Sequence, residues 1–334
     1  MHAPDGFLNA GTAVTTGLLS TGAVGAALRQ MRSSMADRQV PLAGLTAAFV
    51  FAAQMFNFPV AAGTTGHLLG GALAAVLLGP AAGAVVVTVV VVVQALAFAD
   101  GGLTALGYNV LNMAVVTAFG GYGVFVLMRR LLPANAAGVV AATGLAAGVS
   151  VALSAMAFAV EWLFGATAPV PFDTVFGAMV GVHLLIGVGE GLISAMAVGA
   201  VLAARPDLVH GARDLTRAQT ADRPRIGMRT FALAAVIVAL LFAAVVSQFA
   251  APDPDGLERV ARDTGIAESG TDHVLADNMF ADYATDGLDD ETTSLALAGV
   301  AGVAVTLLVG LGIAAAVRDR RPRASTSTAV DSGR

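Results

Sequence analysis

The sequence predicts an all-α polytopic membrane protein: a compact bundle of seven apolar segments, six to seven of them spans, followed by a two-span C-terminal module. Three observations carry this. Hydrophobic residues are 57% of the 334-residue chain and charged residues only 12%, with a mean hydropathy of +0.79; soluble domains carry about twice that charge. Several apolar stretches exceed the roughly 18 residues that cross a bilayer as helix. The basic residues, all eighteen of them arginine, cluster at regular places between those stretches.

Taken in order, the apolar stretches run roughly over 11–29, 41–57, 65–79, 81–98, 105–128, 134–160, 173–204, 231–250 and 293–317. The third is short for a span, and Gly79-Pro80 divides it from the fourth. That pair reads as two spans or as one broken, re-entrant element. The fourth holds Val85–Val87 and Val89–Val93, a β-branched run that would suggest a buried strand in a soluble protein. Its length and apolar setting favour a membrane helix. Gly63, Gly66, Gly70 and Gly71, like Gly187, Gly189 and Gly191, fit helices in close approach. A glycine-rich coding bias gives the same look.

Arginine placement tests the count. Arg29, Arg32 and Arg38 follow the first segment, Arg129 and Arg130 the fifth, Arg205 to Arg229 the seventh, and Arg318 to Arg323 the ninth. Every cluster follows an odd-numbered segment, so nine spans put them all on one side. The positive-inside rule makes that side cytoplasmic, with the N-terminus outside and the C-terminus inside. The chain divides into a body over 1–204, a polar cytoplasmic linker over 205–230, a two-span module over 231–317 and a disordered cytoplasmic tail over 318–334. The outward loop of the module carries twelve acidic residues between Asp253 and Glu291 against Arg259 and Arg262. Residues 257–263 within it read as a short amphipathic helix.

The absences narrow the chemistry. No cysteine means no disulfide and no thiolate metal site, and no lysine means no P-loop ATPase. There is no HExxH motif, no convincing Ser-His-Asp set and no basic tract suited to nucleic acid. What stands out is the start of the chain, Met1-His2-Ala3-Pro4-Asp5-Gly6-Phe7-Leu8. It lacks the basic n-region of a signal peptide, and histidine is too large a second residue for removal of Met1. A retained Met1 offers its amine, the His2 amide and the His2 imidazole Nδ1 as a planar three-nitrogen chelate. His67, at the outward end of the third segment, is either a packed histidine or the fourth nitrogen. Four nitrogens in a plane suit Ni(II), Cu(II) or low-spin cobalt, whereas zinc prefers a tetrahedron.

Other polar residues have two readings each. His183 and Glu190, seven apart in the seventh segment, share a helix face. They bind an ion in transit, or they support packing or a partner contact. Asp5, Gln54, Asn57, Asn109 and Asn112 orient the inserted N-terminus by hydrogen bonds, or they join helices. His210 sits in the basic linker and His273 in the acidic loop, and neither points to a site.

Taken together, the opening residues, Asn57-Phe58-Pro59-Val60, Gly63 to Gly70, Gly101 to Asn109 and His183 to Gly191 resemble the CbiM/NikM family over about residues 1–204. These are substrate-specific membrane components of energy-coupling factor transporters for cobalt and nickel. The resemblance implies that the Met1 amine, the His2 amide, the His2 imidazole and His67 hold the metal. Position 3 departs from the family: alanine stands where a larger apolar residue is usual, which removes bulk but no ligand. Pro254-Asp255-Gly256-Leu257-Glu258, with Asp282-Tyr283 further on, resembles the PDGLE domain, which takes the place of the two-span CbiN/NikN subunit. The family further implies a transmembrane coupling protein and cytoplasmic ATPases as partners, Ni2+ or Co2+ as transported substrate, and no tightly bound cofactor. The opening residues are nearer the nickel-type signature than the Met-Glu-Gly form common in cobalt members.

Two other functions fit a membrane metal site. A sensor or receptor without transport should carry a cytoplasmic signalling domain, and only an arginine-rich linker and tail are present. A membrane enzyme should leave an open metal position beside acid–base groups, which a closed four-nitrogen plane does not. The module reads as an aid to delivery or assembly, because carboxylates do not select nickel over magnesium or calcium. Its removal is expected to leave equilibrium affinity little changed.

Overall fold

The nine apolar stretches all form helices in the computed structural model, which describes residues 1–61, 63–215 and 226–319. α1 is Ala10–Ser34, begun by Asn9, whose side chain accepts from Thr12 N at 2.9 Å. α2 is Gln39–Gln54. A two-stranded antiparallel hairpin follows, β1 Phe58–Ala61 and β2 Thr64–Gly66. α3 is Gly71–Leu78 and α4 is Pro80–Ala97, with Gly79 at φ 95° between them and Pro80 at the first turn of α4. α5 is Leu106–Leu131, π-helical over Leu111–Gly120. α6 is Ala136–Gly165 and α7 is Phe172–Ala204. The module supplies α8 Met228–Ala244, the short α9 Gly256–Thr264 and α10 Glu291–Asp319. The expected linker is described only in part, and nearly all of the expected disordered tail lies outside the described residues.

Among the described residues seven helices are long and apolar enough to cross a membrane, and α2, at 16 residues, is a shorter apolar one. The third segment is not a clean span. α3 has eight residues, a rise of about 12 Å against a hydrocarbon core of about 30 Å. The rest of that traverse is non-helical chain over residues 66–70. It is sustained in a buried setting because Glu190 of α7 accepts from Leu69 N at 2.6 Å and Gly70 N at 2.9 Å. The sequence places a break at Gly79-Pro80; the larger irregularity lies before it.

α6 and α7 pack as a pair on facing glycines. A Cβ on Gly187 would sit 2.5 Å from Gly148 O, and one on Gly191 would sit 2.6 Å from Gly144 O. Each helix thus presents a small-xxx-small face, and close packing is what holds helices together in lipid. Large apolar side chains such as Leu18, Leu131, Phe164 and Leu308 point outward, as a lipid solvent permits.

The connections sort into two ends. At one, Asn9 N donates to Gly165 O, Gly102 N to Ala3 O, Ala251 N to Asn57 O and Asp282 N to Phe98 O, at 2.8–3.0 Å. At the other, Gln39 Nε2 donates to Leu78 O, Arg129 pairs with Asp214, and His210 packs edge-on against Tyr122. The N-terminus and the acidic loop therefore share one end, and Arg129, Arg205 and Arg213 line the opposite one.

Candidate metal centre

The first eight residues are folded into the bundle by side chains of the body. Asp5 accepts from Leu103 N, Thr104 N and Ala105 N, just ahead of α5, so a carboxylate sits on a helix N-terminus. Asn109 brackets Ala3, accepting from its N–H and donating to its carbonyl, both at 3.0 Å. Tyr108 donates to Pro4 O at 3.1 Å, and Thr167 donates to Phe7 O at 2.8 Å. Met1 and His2 are thereby delivered to His67, with Met1 5% and His67 6% exposed.

The Met1 amine lies 2.5 Å from His67 Nε2. The His2 and His67 rings stack with centroids 5.2 Å apart and planes 17° apart. Hydrogen bonding fixes which nitrogen of each ring is free. His67 Nδ1 faces Leu68 O at 3.0 Å, a pure acceptor. The proton is therefore on Nδ1, and the Nε2 lone pair faces the amine. His2 Nε2 faces Gln94 Oε1 at 3.0 Å; Gln94 Nε2 donates to the Tyr283 hydroxyl at 3.0 Å, and that hydroxyl donates to Asp100 Oδ2 at 2.6 Å. Read along this chain, His2 carries its proton on Nε2. Nδ1 keeps its lone pair, 3.3 Å from Asp100 Oδ1. Burial, helped by the terminal ammonium and by His67 and opposed by Asp100, lowers the His2 pKa to about 4, so the ring is neutral at neutral pH. The His2 amide has no hydrogen-bond partner among the described residues.

The surroundings are acidic. Asp255 Oδ2 accepts from the Met1 amine and lies 3.5 Å from His67 Nε2. Burial works to raise the Asp255 carboxyl, but the ammonium and His67 override it and hold it well below the usual carboxylate range. An open cavity of about 670 Å³ leads to the site, with His2, His67, Asp100, Asp255, Glu258 and Tyr283 on its walls.

The other residues named from sequence are placed as follows. Gln54 donates to Leu69 O at 3.1 Å and so braces the turn after His67. Asn57 lines the cavity, and its carbonyl receives Ala251 N. Asn112 pairs with Glu161 at 2.7 Å, away from the amine. His183 gives its Nδ1–H to Met179 O at 2.7 Å, and with Met1, His67 and Asp255 it walls a small void beneath the site. Glu190 holds the 69–70 turn. His210 lies at the opposite end of the bundle. His273 Nδ1 accepts from Leu275 N, within the loop. Asp255, Asp100 and Tyr283 were not singled out as site residues by sequence reasoning. The PDGLE motif and Asp282-Tyr283 were the available signals for two of them. Among the described residues no cluster of three or more His, Asp or Glu side chains is placed to hold a metal.

Fold and site define a multi-pass membrane protein with a nitrogen-lined, acid-rimmed pocket at one end. Residues 2–208 match the family described as the cobalt uptake substrate-specific transmembrane region, and residues 229–319 match the PDGLE domain. The chain belongs to that family, CbiM, with a fused PDGLE domain; its role is metal transport, not enzymatic catalysis. It is 34% identical to a putative fused nickel transport protein NikMN of Archaeoglobus fulgidus over 313 residues, which is 94% of this chain and 98% of that protein. It is 42% identical over 209 residues to a putative metal transport protein of Haloquadratum walsbyi, covering 63% of this chain and 93% of that one. A crystal structure of a truncated transition metal transporter superposes with a TM-score of 0.53 at 32% identity, covering 60% of this chain and 98% of that chain.

Proposed function

We propose that the chain captures Ni2+ or Co2+, with nickel preferred, as the substrate-binding membrane component of an ATP-driven energy-coupling factor transporter. The ligands are the Met1 amine, the His2 amide nitrogen, His2 Nδ1 and His67 Nε2. The observation that supports this reading is the pairing of free lone pairs: each ring uses one nitrogen as a donor, which leaves His67 Nε2 facing the Met1 amine and His2 Nδ1 beside Asp100. Nickel fits a planar set of four nitrogens, and a relative matched over 94% of this chain is described as a putative fused nickel transport protein. A 38% identical relative in Geobacter sulfurreducens is described as a cobalt transport protein.

The body over 1–204 holds the ion, and the module over 231–317 stands beside it as an auxiliary. The site faces outward and the arginine-lined end faces the cytoplasm of a prokaryotic cell. There a transmembrane coupling protein and separate ATPases supply the energy. Titration of the purified chain with Ni(II), with and without one alanine added before Met1, tests the ligand set. The extension turns the amine into an amide and is expected to abolish tight binding; unchanged affinity would refute the N-terminal chelate.

A further inference from the structure

The five residues Pro254 to Glu258 are spent on docking. Pro254 O accepts from Thr65 N at 2.9 Å, and Asp253 O accepts from the Thr65 hydroxyl at 2.9 Å, so the motif pairs with β2 two residues before His67. Asp255 Oδ1 caps α9 by accepting from Glu258 N at 2.8 Å, which leaves Oδ2 for the Met1 amine. Gly256 lies against α7: a Cβ there would sit 2.6 Å from Ile186 Cδ1 and 2.9 Å from His183 Cε1. Leu257 is 2% exposed. A second contact comes from further along the loop. Asp282 and Tyr283 both have positive φ, 52° and 58°, a left-handed conformation that non-glycine residues rarely adopt. That backbone delivers the Tyr283 hydroxyl to Asp100 and Gln94, with its ring stacked on Phe98.

Taking the ligand set above as given, we infer that the C-terminal module completes the metal site with two positioning residues: Asp255, which seats the Met1 amine beside His67, and Tyr283, which selects the His2 tautomer. The body holds the Met1 sulfur through Ser154, His2 through Gln94 and Asp100, and the chain from residue 3 onward through Asn109 and Tyr108; the amine itself is held by His67 of the body and Asp255 of the module. Without the carboxylate the empty site relaxes by letting the amine swing to water, and the loaded site cannot. The apparent dissociation constant then rises by the inverse of the fraction still seated. Tyr283 acts through Gln94. Without its hydroxyl, the Gln94 amide is free to turn and offer its NH2 to His2 Nε2. The proton of His2 then moves to Nδ1, where it faces Asp100, and the chelating nitrogen is blocked.

The test uses the full chain in nanodiscs with Ni(II) as probe, measuring dissociation constant, loading rate and the absorption spectrum at saturation. Asp255→Asn keeps the helix cap and the shape but removes the charge. It is expected to bind tenfold or more weakly and load more slowly, with the saturated spectrum unchanged. Gly256→Val, which pries the loop from α7 with Asp255 intact, should lose as much, and combining the two should add little. Tyr283→Phe should weaken binding about threefold, again without a spectral change. Asp253→Asn removes the same charge from an exposed position two residues away and should stay within twofold of the parent. The inference is overturned if Asp255→Asn binds within twofold of the parent. It is equally overturned if Asp253→Asn loses as much, since the loop then acts only as diffuse charge, or if the spectrum changes. The chain extended before Met1 serves as reference. If it binds normally, the ligand set itself is wrong; if it loses binding while Asp255→Asn does not, only the module's role is.

Discussion

The module touches the body in two places, and the two contacts rest on different physics. Within the spans, α10 lies on α2 through size alone: Gly302 faces the Phe51 ring and Gly310 lies beside Gly44. No charge or side-chain hydrogen bond crosses there among the described residues. At the end that holds the N-terminus the same module meets the body through an ammonium–carboxylate pair, a strand-like backbone contact and a hydrogen-bond chain. Lipid gives helices no hydrophobic reason to associate, so the first contact depends on fit. The second operates beside an open, wet cavity, where polar groups exchange with water and with an arriving ion. The in-membrane contact sets where the loop is; the contact at the N-terminal end carries the positioning role inferred for it.

This division can be broken from either side. The largest effect is predicted at the ligands: a residue added before Met1 removes tight binding altogether. His67→Ala should weaken Ni(II) binding on the order of 100-fold, the upper range for disturbing a metal's shell, and more than His183→Ala or His273→Ala. A titration in which His183→Ala alone loses the metal would move the site deeper into the bundle. Removal of residues 205–334 comes next. The sequence alone leads one to expect nearly unchanged affinity, because four nitrogens remain. The loop contacts lead one to expect a loss of about tenfold or more, the sum of unseating the amine and freeing Gln94. One binding isotherm separates the two.

Glu190→Gln sharpens the comparison from within the body. It weakens two buried N–H bonds to a carboxylate, each kind worth about 1.5–3 kcal/mol. It should cost about tenfold in affinity, while Asp255 and Tyr283 keep their contacts. Metal affinity unaltered by this change would mean that the 69–70 turn is held well enough by Gln54 alone. The smallest effect on binding is predicted for Gly302→Leu. Its Cβ would stand 1.9 Å from Phe51 Cζ, and overpacking of this kind costs about 1–3 kcal/mol. Thermal stability should fall by several degrees with affinity changed less than threefold. If affinity collapses with it, the in-membrane contact also shapes the site.

What was legible in the sequence follows the range of the interactions. Apolar periodicity and length mark every helix, because each segment signals itself. The placement of Arg129, Arg205 and Arg213 at one end was legible from arginine spacing for the same reason. Met1 and His2 are adjacent, so the chelate proposed for them is local chemistry. The third segment reads as short in the sequence, but the hairpin at 58–66 and the non-helical stretch before α3 do not. That stretch depends on Glu190, more than a hundred residues away, taking the N–H groups of Leu69 and Gly70. Asp100, Asp255 and Tyr283 escape for a like reason: each acts on the first two residues, directly or through Gln94, from far along the chain. The PDGLE motif was visible as a signature, but its contact with the amine is purely tertiary.

α7 carries more than its share of this architecture. Glu190 holds the floor under His67, and Ile186 with His183, one and two turns earlier, forms the wall on which Gly256 rests. Both belong to one continuous rod that runs on to Ala204. From Glu190 to Ala204 is about 21 Å of helix. A 10° tilt about the Ala204 end would swing the carboxylate by about 4 Å, more than the length of either bond it makes. With the ligand set proposed above, a lever of that length ties the grip on the cargo to the angle of a single helix.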